Sequence, residues 1–184
     1  MDWTWIAGLV AALVLIVAIA SRRKKESKSD RLFRQQDSLF TPAERSFLGV
    51  LDKASAGRYR VFGKVRIADV VLPVKGLDKS TWTSVFNRIK AKHFDFVLCD
   101  PQTLKIKAVI ELNDKSHTRG RRIARDELVG RACADAGLTL RMIKAQRNYS
   151  MEAVKQVVNE IEAELQVEQM DNLGLANAHP RDDN

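Results

Sequence analysis

Hydrophobic and polar positions divide the chain into an apolar head, a polar connector, a long mixed segment and a short polar tail. Residues 3–20, WTWIAGLVAALVLIVAIA, form an uncharged apolar run. As a helix it rises roughly 27 Å, close to the thickness of a bilayer's hydrocarbon core. Trp3 and Trp5 suit one membrane interface, and Arg22, Arg23, Lys24 and Lys25 suit the other. A cleaved signal peptide is the rival reading, since Ala18-Ile19-Ala20 resembles a small-residue cleavage site. Its basic leading region is missing, however, and the positive cluster follows the run instead of preceding it. The pattern predicts a transmembrane anchor at 1–21, with the short N-terminus outside and all that follows in the cytoplasm. Residues 22–40 are polar and aperiodic. They read as a basic juxtamembrane linker, either touching anionic headgroups or serving only as a topology signal.

From residue 41 to about 170 the periodicity alternates between helix and strand. Thr41-Pro42-Ala43-Glu44 starts a helix: Thr41 caps, Pro42 takes the first helical position, and Glu44 completes a capping box. Phe47, Leu48, Val50 and Leu51 give it an apolar face, and Gly57 is a stop signal. The β-branched and aromatic stretch 59–71, YRVFGKVRIADVV, reads as one bent strand or two short ones. Residues 80–92 carry Trp82, Val85, Phe86 and Ile89 at helical spacing. Two strands follow within FDFVLCDPQTLKIKAVIELNDKSH, residues 94–117. A helix over about 121–136 ends at Gly137, a short strand covers 138–144, and a last helix runs from Ser150 to about 170. Its stripe of Val154, Val157, Val158, Ile161 and Leu165 faces inward. This order predicts a three-layer α/β domain over 41–170 with a central mixed sheet flanked by helices. Residues 171–184 read as a disordered tail.

Charge sharpens the picture. The 184-residue chain has a formal net charge of +8, which points to an anionic partner, nucleic acid or lipid. The excess is local. Residues 115–147 hold nine Lys/Arg against three Asp/Glu, whereas 148–184 hold two against eight. A polyanion site after residue 117 fits this distribution, as does an ordinary solvated helix face. The two cysteines, Cys99 and Cys133, form no CxxC pair and no zinc-spaced cluster. They read as reduced, buried residues, and a structural zinc site is not expected.

The candidate chemistry lies in the two strands of 94–117. Asp95 shares a face with Val97 and Cys99, and Glu111 shares one with Val109, Lys107 and Lys105. A register pairing Val97 with Val109 also sets Asp95 against Glu111, about 5 to 8 Å apart. Like charges so placed repel. Either one acid takes up a proton, or a divalent cation sits between them. A hard cation such as Mg²⁺ accepts one or two carboxylates together with waters and phosphate oxygens. The plainer account has Asp95 capping the strand end and Glu111 paired with Lys107 or Lys64.

The segments TPAERSFL, VFGKVRIADV, FNRIKAKHFDFVLCD and AVIELNDKSH together resemble a bacterial family of domains of unknown function. That family is similar to the Vsr-like (very short patch repair) branch of the restriction-endonuclease-like, PD-(D/E)XK superfamily. The likeness covers roughly residues 38–150. It implies a restriction-endonuclease-like fold, metal-binding acids at Asp95 and Glu111, and Mg²⁺ or Mn²⁺ as cofactor. It further implies that His117 is an active-site histidine and Glu44 an additional acid from the first helix, although the capping box accounts for Glu44 as well. Arg119, Arg121, Arg122 and Arg125 would then contact the nucleic acid, DNA more than RNA. The pattern breaks at Asn113, where the wider superfamily places a lysine and the Vsr-like branch often an aspartate. Asparagine offers an oxygen but neither a positive charge nor a carboxylate.

The combined expectation is a single-pass protein of the bacterial inner membrane with a cytoplasmic, metal-dependent nuclease domain. The alternative is a catalytically inactive nuclease fold that binds nucleic acid or a protein at the membrane.

Overall fold

A computed structural model describes residues 3–26, 32–113 and 119–172. They fall into two units, Met1–Ser38 and Leu39–Asn184. In the first unit the apolar run does form a helix, α1, over Thr4–Glu26. The expected membrane span is not upheld, because among the described residues no helix is long and apolar enough to cross a membrane. Although α1 has 23 residues, its final turns carry Arg22, Arg23, Lys24, Lys25 and Glu26. The apolar part, with a rise of roughly 27 Å, lies near the lower limit for a span, and the charged final turns add no apolar length to it. The expected single-pass inner-membrane placement, with the N-terminus outside, is overturned with it.

The second unit starts as its sequence dictates. Thr41 caps α2, Pro42–Ala54, and the capping box is complete: Glu44 N donates to Thr41 Oγ1, and Thr41 N donates to a Glu44 carboxylate oxygen. β1 spans Arg60–Arg66 and ends in a 3₁₀ turn at Ile67–Asp69, so the stretch 59–71 yields one strand. α3, Lys79–Ile89, starts on Asp78, whose carboxylate accepts from Ser80 N and Thr81 N. β2, His93–Cys99, and β3, Ile106–Asn113, follow. Between them Asp100 accepts from the backbone N–H of Gln102 and Thr103, which tightens the connection. α4, Arg119–Asp135, is closed by Gly137 at φ +61°, a left-handed conformation that glycine adopts without steric cost. β4, Thr139–Lys144, and α5, Met151–Asn172, complete the unit.

The sheet order is β1-β2-β3-β4. The first three strands are antiparallel, and β4 runs parallel to β3 after the crossover through α4. The sheet is therefore mixed, as the order of elements predicts. Side-chain alternation gives it two apolar faces. Phe96, Leu98, Ala108 and Ile110 pack with Phe47 and Leu51 of α2 and Val154, Val158 and Ile161 of α5. Val97, Cys99 and Val109 pack on the other face with Ile89 of α3 and Val129 and Cys133 of α4. Phe94 departs from the alternation and joins this second cluster beside Ile67. Both cysteines are free and buried in it, the environment expected of reduced thiols.

One close approach controls how the chain enters this unit. Phe40 stacks on Phe96 with ring centroids 5.8 Å apart and covers Gly63 of β1. A Cβ at residue 63 would lie 2.3 Å from Phe40 Cζ, so only glycine fits without movement. Gly63→Ala is expected to lose about 1–3 kcal/mol of stability by overpacking, read as a lower urea midpoint. Phe40→Ala should relieve that strain, making the double variant more stable than the sum of the single losses implies. Strict additivity would show that the ring and Gly63 do not constrain each other.

Candidate active site at the open end of the β2–β3 ladder

Register alone brings the charged residues together. Gly63 pairs with Phe96 and Val65 with Phe94, so Lys64 stands opposite Asp95. On the other side of β2, Phe96 pairs with Ile110 and Val97 with Val109. The same register carried one residue past Phe96 sets Asp95 opposite Glu111, and Glu111 pairs with Met142 of β4. A row across the sheet therefore reads Lys64, Asp95, Glu111, Met142.

At this row side chains replace the β2–β3 backbone ladder. Asp95 N donates to Glu111 Oε1 at 3.2 Å, and Leu112 N donates to Asp95 Oδ2 at 3.0 Å. Each acid thus takes a backbone N–H from the opposite strand. Both are deeply placed, Asp95 with 6% and Glu111 with 1% of its surface exposed. The remaining oxygens take cations. Lys64 Nζ lies 3.1 Å from Asp95 Oδ1 and 2.7 Å from Glu44 Oε1. Arg125 of α4 donates to Glu111 Oε2 at 2.9 Å and to His93 O at 3.2 Å. The plainer pairing of Glu111 with Lys107 or Lys64 is not what forms: Lys64 serves Asp95, and Glu111 is met from the helix.

Glu44 has a divided role. One carboxylate oxygen closes the capping box and the other holds Lys64. The helix start therefore aims a negative charge at the row from the α2 layer. Lys64 itself adopts φ +55°, an unfavourable region for a non-glycine residue that costs roughly 1–3 kcal/mol. Burial pushes the Glu44 carboxyl up, but the bonds from Lys64 and Thr41 outweigh it and hold the group below its ordinary value. Burial likewise disfavours the Lys64 charge, and the bonds to Glu44 and Asp95 reverse this and raise it. Glu111 goes the other way. Burial first, and then the charge of Asp95, push it up to about 7, against the partial relief that Arg125 and Asp95 N provide.

These residues line a cleft of about 290 Å³ together with Leu112, Asn113, Asp126 and Met142. Asn113 Nδ2 lies 3.4 Å from Asp126 Oδ2, so the asparagine faces an acid of α4. Of the residues singled out from sequence, Asp95, Glu111, Glu44, Asn113 and Arg125 meet here. His117 lies outside the described residues. Arg119, Arg121 and Arg122 fall in the first turns of α4, their side chains outside the description. Sequence reasoning missed Asp126 and placed Lys64 on the wrong acid. Its signal was the Gly-Lys pair inside the strand VFGKVRIADV, legible only once β1 is registered on β2.

The donor set suits a hard divalent cation in one respect: two carboxylates converge on one row, and each oxygen retains a lone pair beyond its present bond. No group of three or more His, Cys, Asp or Glu that could hold a metal occurs among the described residues. A bound ion would therefore rest on Asp95 and Glu111, with waters or phosphate oxygens completing its shell.

The fold and this cleft define an α/β domain with a buried, cation-paired acid cluster at the end of a mixed sheet. The chain belongs to a family of proteins of unknown function (DUF2726), whose model matches residues 36–161, more than half its length. No curated protein and no solved structure matches it.

The raised Glu111 carboxyl has a measurable consequence. An acid with a higher pKa in the folded chain than its ordinary 4.5 binds its proton more tightly when folded. Its contribution to stability is then full below that value and is lost as pH rises through about 7. Urea midpoints should accordingly fall between about pH 5 and about pH 8, and Glu111→Gln should remove much of that slope. Parallel profiles for wild type and variant would show that Glu111 is not held protonated.

Proposed function

We propose that the domain is a divalent-metal-dependent phosphodiester hydrolase acting on nucleic acid, DNA more than RNA. The observation that carries this reading is the pair of buried carboxylates set face to face where the β2–β3 ladder gives way to side chains. Such a pair is costly in a purely structural role and useful where oxygen ligands must be held rigidly. The resemblance of the surrounding segments to the Vsr-like branch of the PD-(D/E)XK superfamily supports the same chemistry.

Mg²⁺ or Mn²⁺ held by Asp95 and Glu111 would polarise the phosphate and lower the pKa of a bound water. The chain's own residues do the rest. Leu112 N and Asp95 N fix the two carboxylates from behind. Arg125 balances Glu111, and Lys64 supplies near the acids the positive charge that Asn113 lacks. The basic run from 115 to 147, with His117, Arg119, Arg121 and Arg122 at its start, provides the field that gathers a polyanion. In this reading Glu44 positions Lys64 rather than touching the reacting atoms.

One observation favours a second reading, a nuclease fold that binds nucleic acid without cutting it. Every oxygen of Asp95 and Glu111 already has a protein donor. Cleavage of plasmid, single-stranded DNA and RNA with Mn²⁺ separates the two. On the first reading wild type cuts, and Asp95→Asn and Glu111→Gln lower the rate by about 100-fold or more. Equal background from all three, with binding that weakens steeply in salt, would establish the second.

A further inference from the structure

Among the oxygens of the acid pair, two are held by side-chain cations instead of backbone N–H: Glu111 Oε2 by Arg125 and Asp95 Oδ1 by Lys64. Asp95 Oδ2 is committed to Leu112 N, and Glu111 Oε1 to Asp95 N. Asp95 Oδ1 faces no backbone donor, and Lys64 Nζ occupies it at 3.1 Å. The same ammonium makes a shorter bond, 2.7 Å, to Glu44 Oε1. Glu44 is itself fixed through the capping box, which ties its other oxygen to Thr41 N at 3.0 Å. Lys64 therefore has one firm seat on α2 and one looser contact on β2.

We propose that Lys64 is a built-in counter-cation of the site: it occupies Asp95 while no metal is bound, and yields that oxygen to a divalent cation while remaining on Glu44. This rests on the metal-binding reading above and goes beyond it by assigning competition to a residue of this chain. A divalent ion on Asp95 Oδ1 and an ammonium on the same oxygen repel each other at close range. Glu44 gives the ammonium a place to stay, so the exchange needs only the loss of one bond. The left-handed φ of +55° fits the assignment, because such a conformation persists only where the surrounding contacts hold the residue in place. Without the ammonium, Asp95 would face Glu111 with its own charge unpaired, because Arg125 serves Glu111. With it, the site rests closed and opens only to a competing cation. Displaced from Asp95 but held by Glu44, the ammonium still borders the cleft, where an incoming phosphate would meet it.

The test reads metal occupancy and lysine exposure, not cleavage. Calorimetric titration with Mn²⁺ is expected to give an affinity about tenfold or more tighter for Lys64→Met than for wild type, since the competitor is gone. In wild type, reductive methylation followed by mass spectrometry should show Lys64 labelling rising severalfold on Mn²⁺ saturation, with the exposed Lys53 and Lys90 unchanged as references. Equal Mn²⁺ affinities together with unchanged Lys64 labelling would overturn the competition and leave the metal-binding reading standing. Absence of Mn²⁺ binding in both proteins would overturn both. Should Lys64→Met fail to fold, the labelling of wild type decides alone: a rise supports the exchange, and no rise refutes it.

Discussion

The organising constraint of this structure is the exchange of backbone hydrogen bonds for carboxylate hydrogen bonds at one end of the β2–β3 ladder. Asp95 and Glu111 each accept from an N–H on the opposite strand. The strands can part there without leaving those backbone donors unsatisfied. That is how a cleft comes to open beside a central strand, where a continuous ladder would close it. The arrangement buries two acids, and a buried charge persists only if it is paired and hydrogen-bonded.

The compensating cations come from two separate elements, Lys64 from β1 by register and Arg125 from α4, while Glu44 of α2 adds a further acid that seats Lys64. None of these is close to the acids in sequence, so the site exists only when the layers are assembled. Phe40 over Gly63 locks the residue next to Lys64 against the sheet. Packing and electrostatics are thereby coupled: the aromatic that fixes β1 also helps fix the ammonium that serves Asp95.

Much of this was legible before any coordinates. The capping box at Thr41–Glu44 follows from local rules and the mixed sheet from the order of elements, whereas alternation permitted the Val97–Val109 register without forcing it. The basic tilt of 115–147 suggested a surface for a polyanion, and nothing in it announced that Arg125 pairs with Glu111. What was not legible needed long-range geometry. Lys64 is 31 residues from Asp95, and no periodicity distinguishes it from Lys107 as a partner. Its left-handed backbone has no composition signal, because lysine seldom adopts it. The expected membrane span failed for a different reason. Its apolar length lies close to the minimum for a bilayer, and helix length as such does not count once the last turns are charged.

The row of charges is also where this unit concentrates its departures from ordinary structural preference. A strand residue with positive φ, two buried acids face to face, a glycine under an aromatic ring and an acid shifted toward neutrality all lie within a few residues of one another. Outside the row the departures are fewer: Leu104 in the β2–β3 connection has φ +58°, and Ser55 Oγ is the lone buried side-chain polar atom without a partner among the described residues. An apolar filling of similar volume would commonly be as stable as such a network, or more so. Clustered exceptions of this kind mark function more often than defect. Because every oxygen of Asp95 and Glu111 already accepts from a protein donor, a ligand entering the cleft must use a remaining lone pair or displace one of those donors.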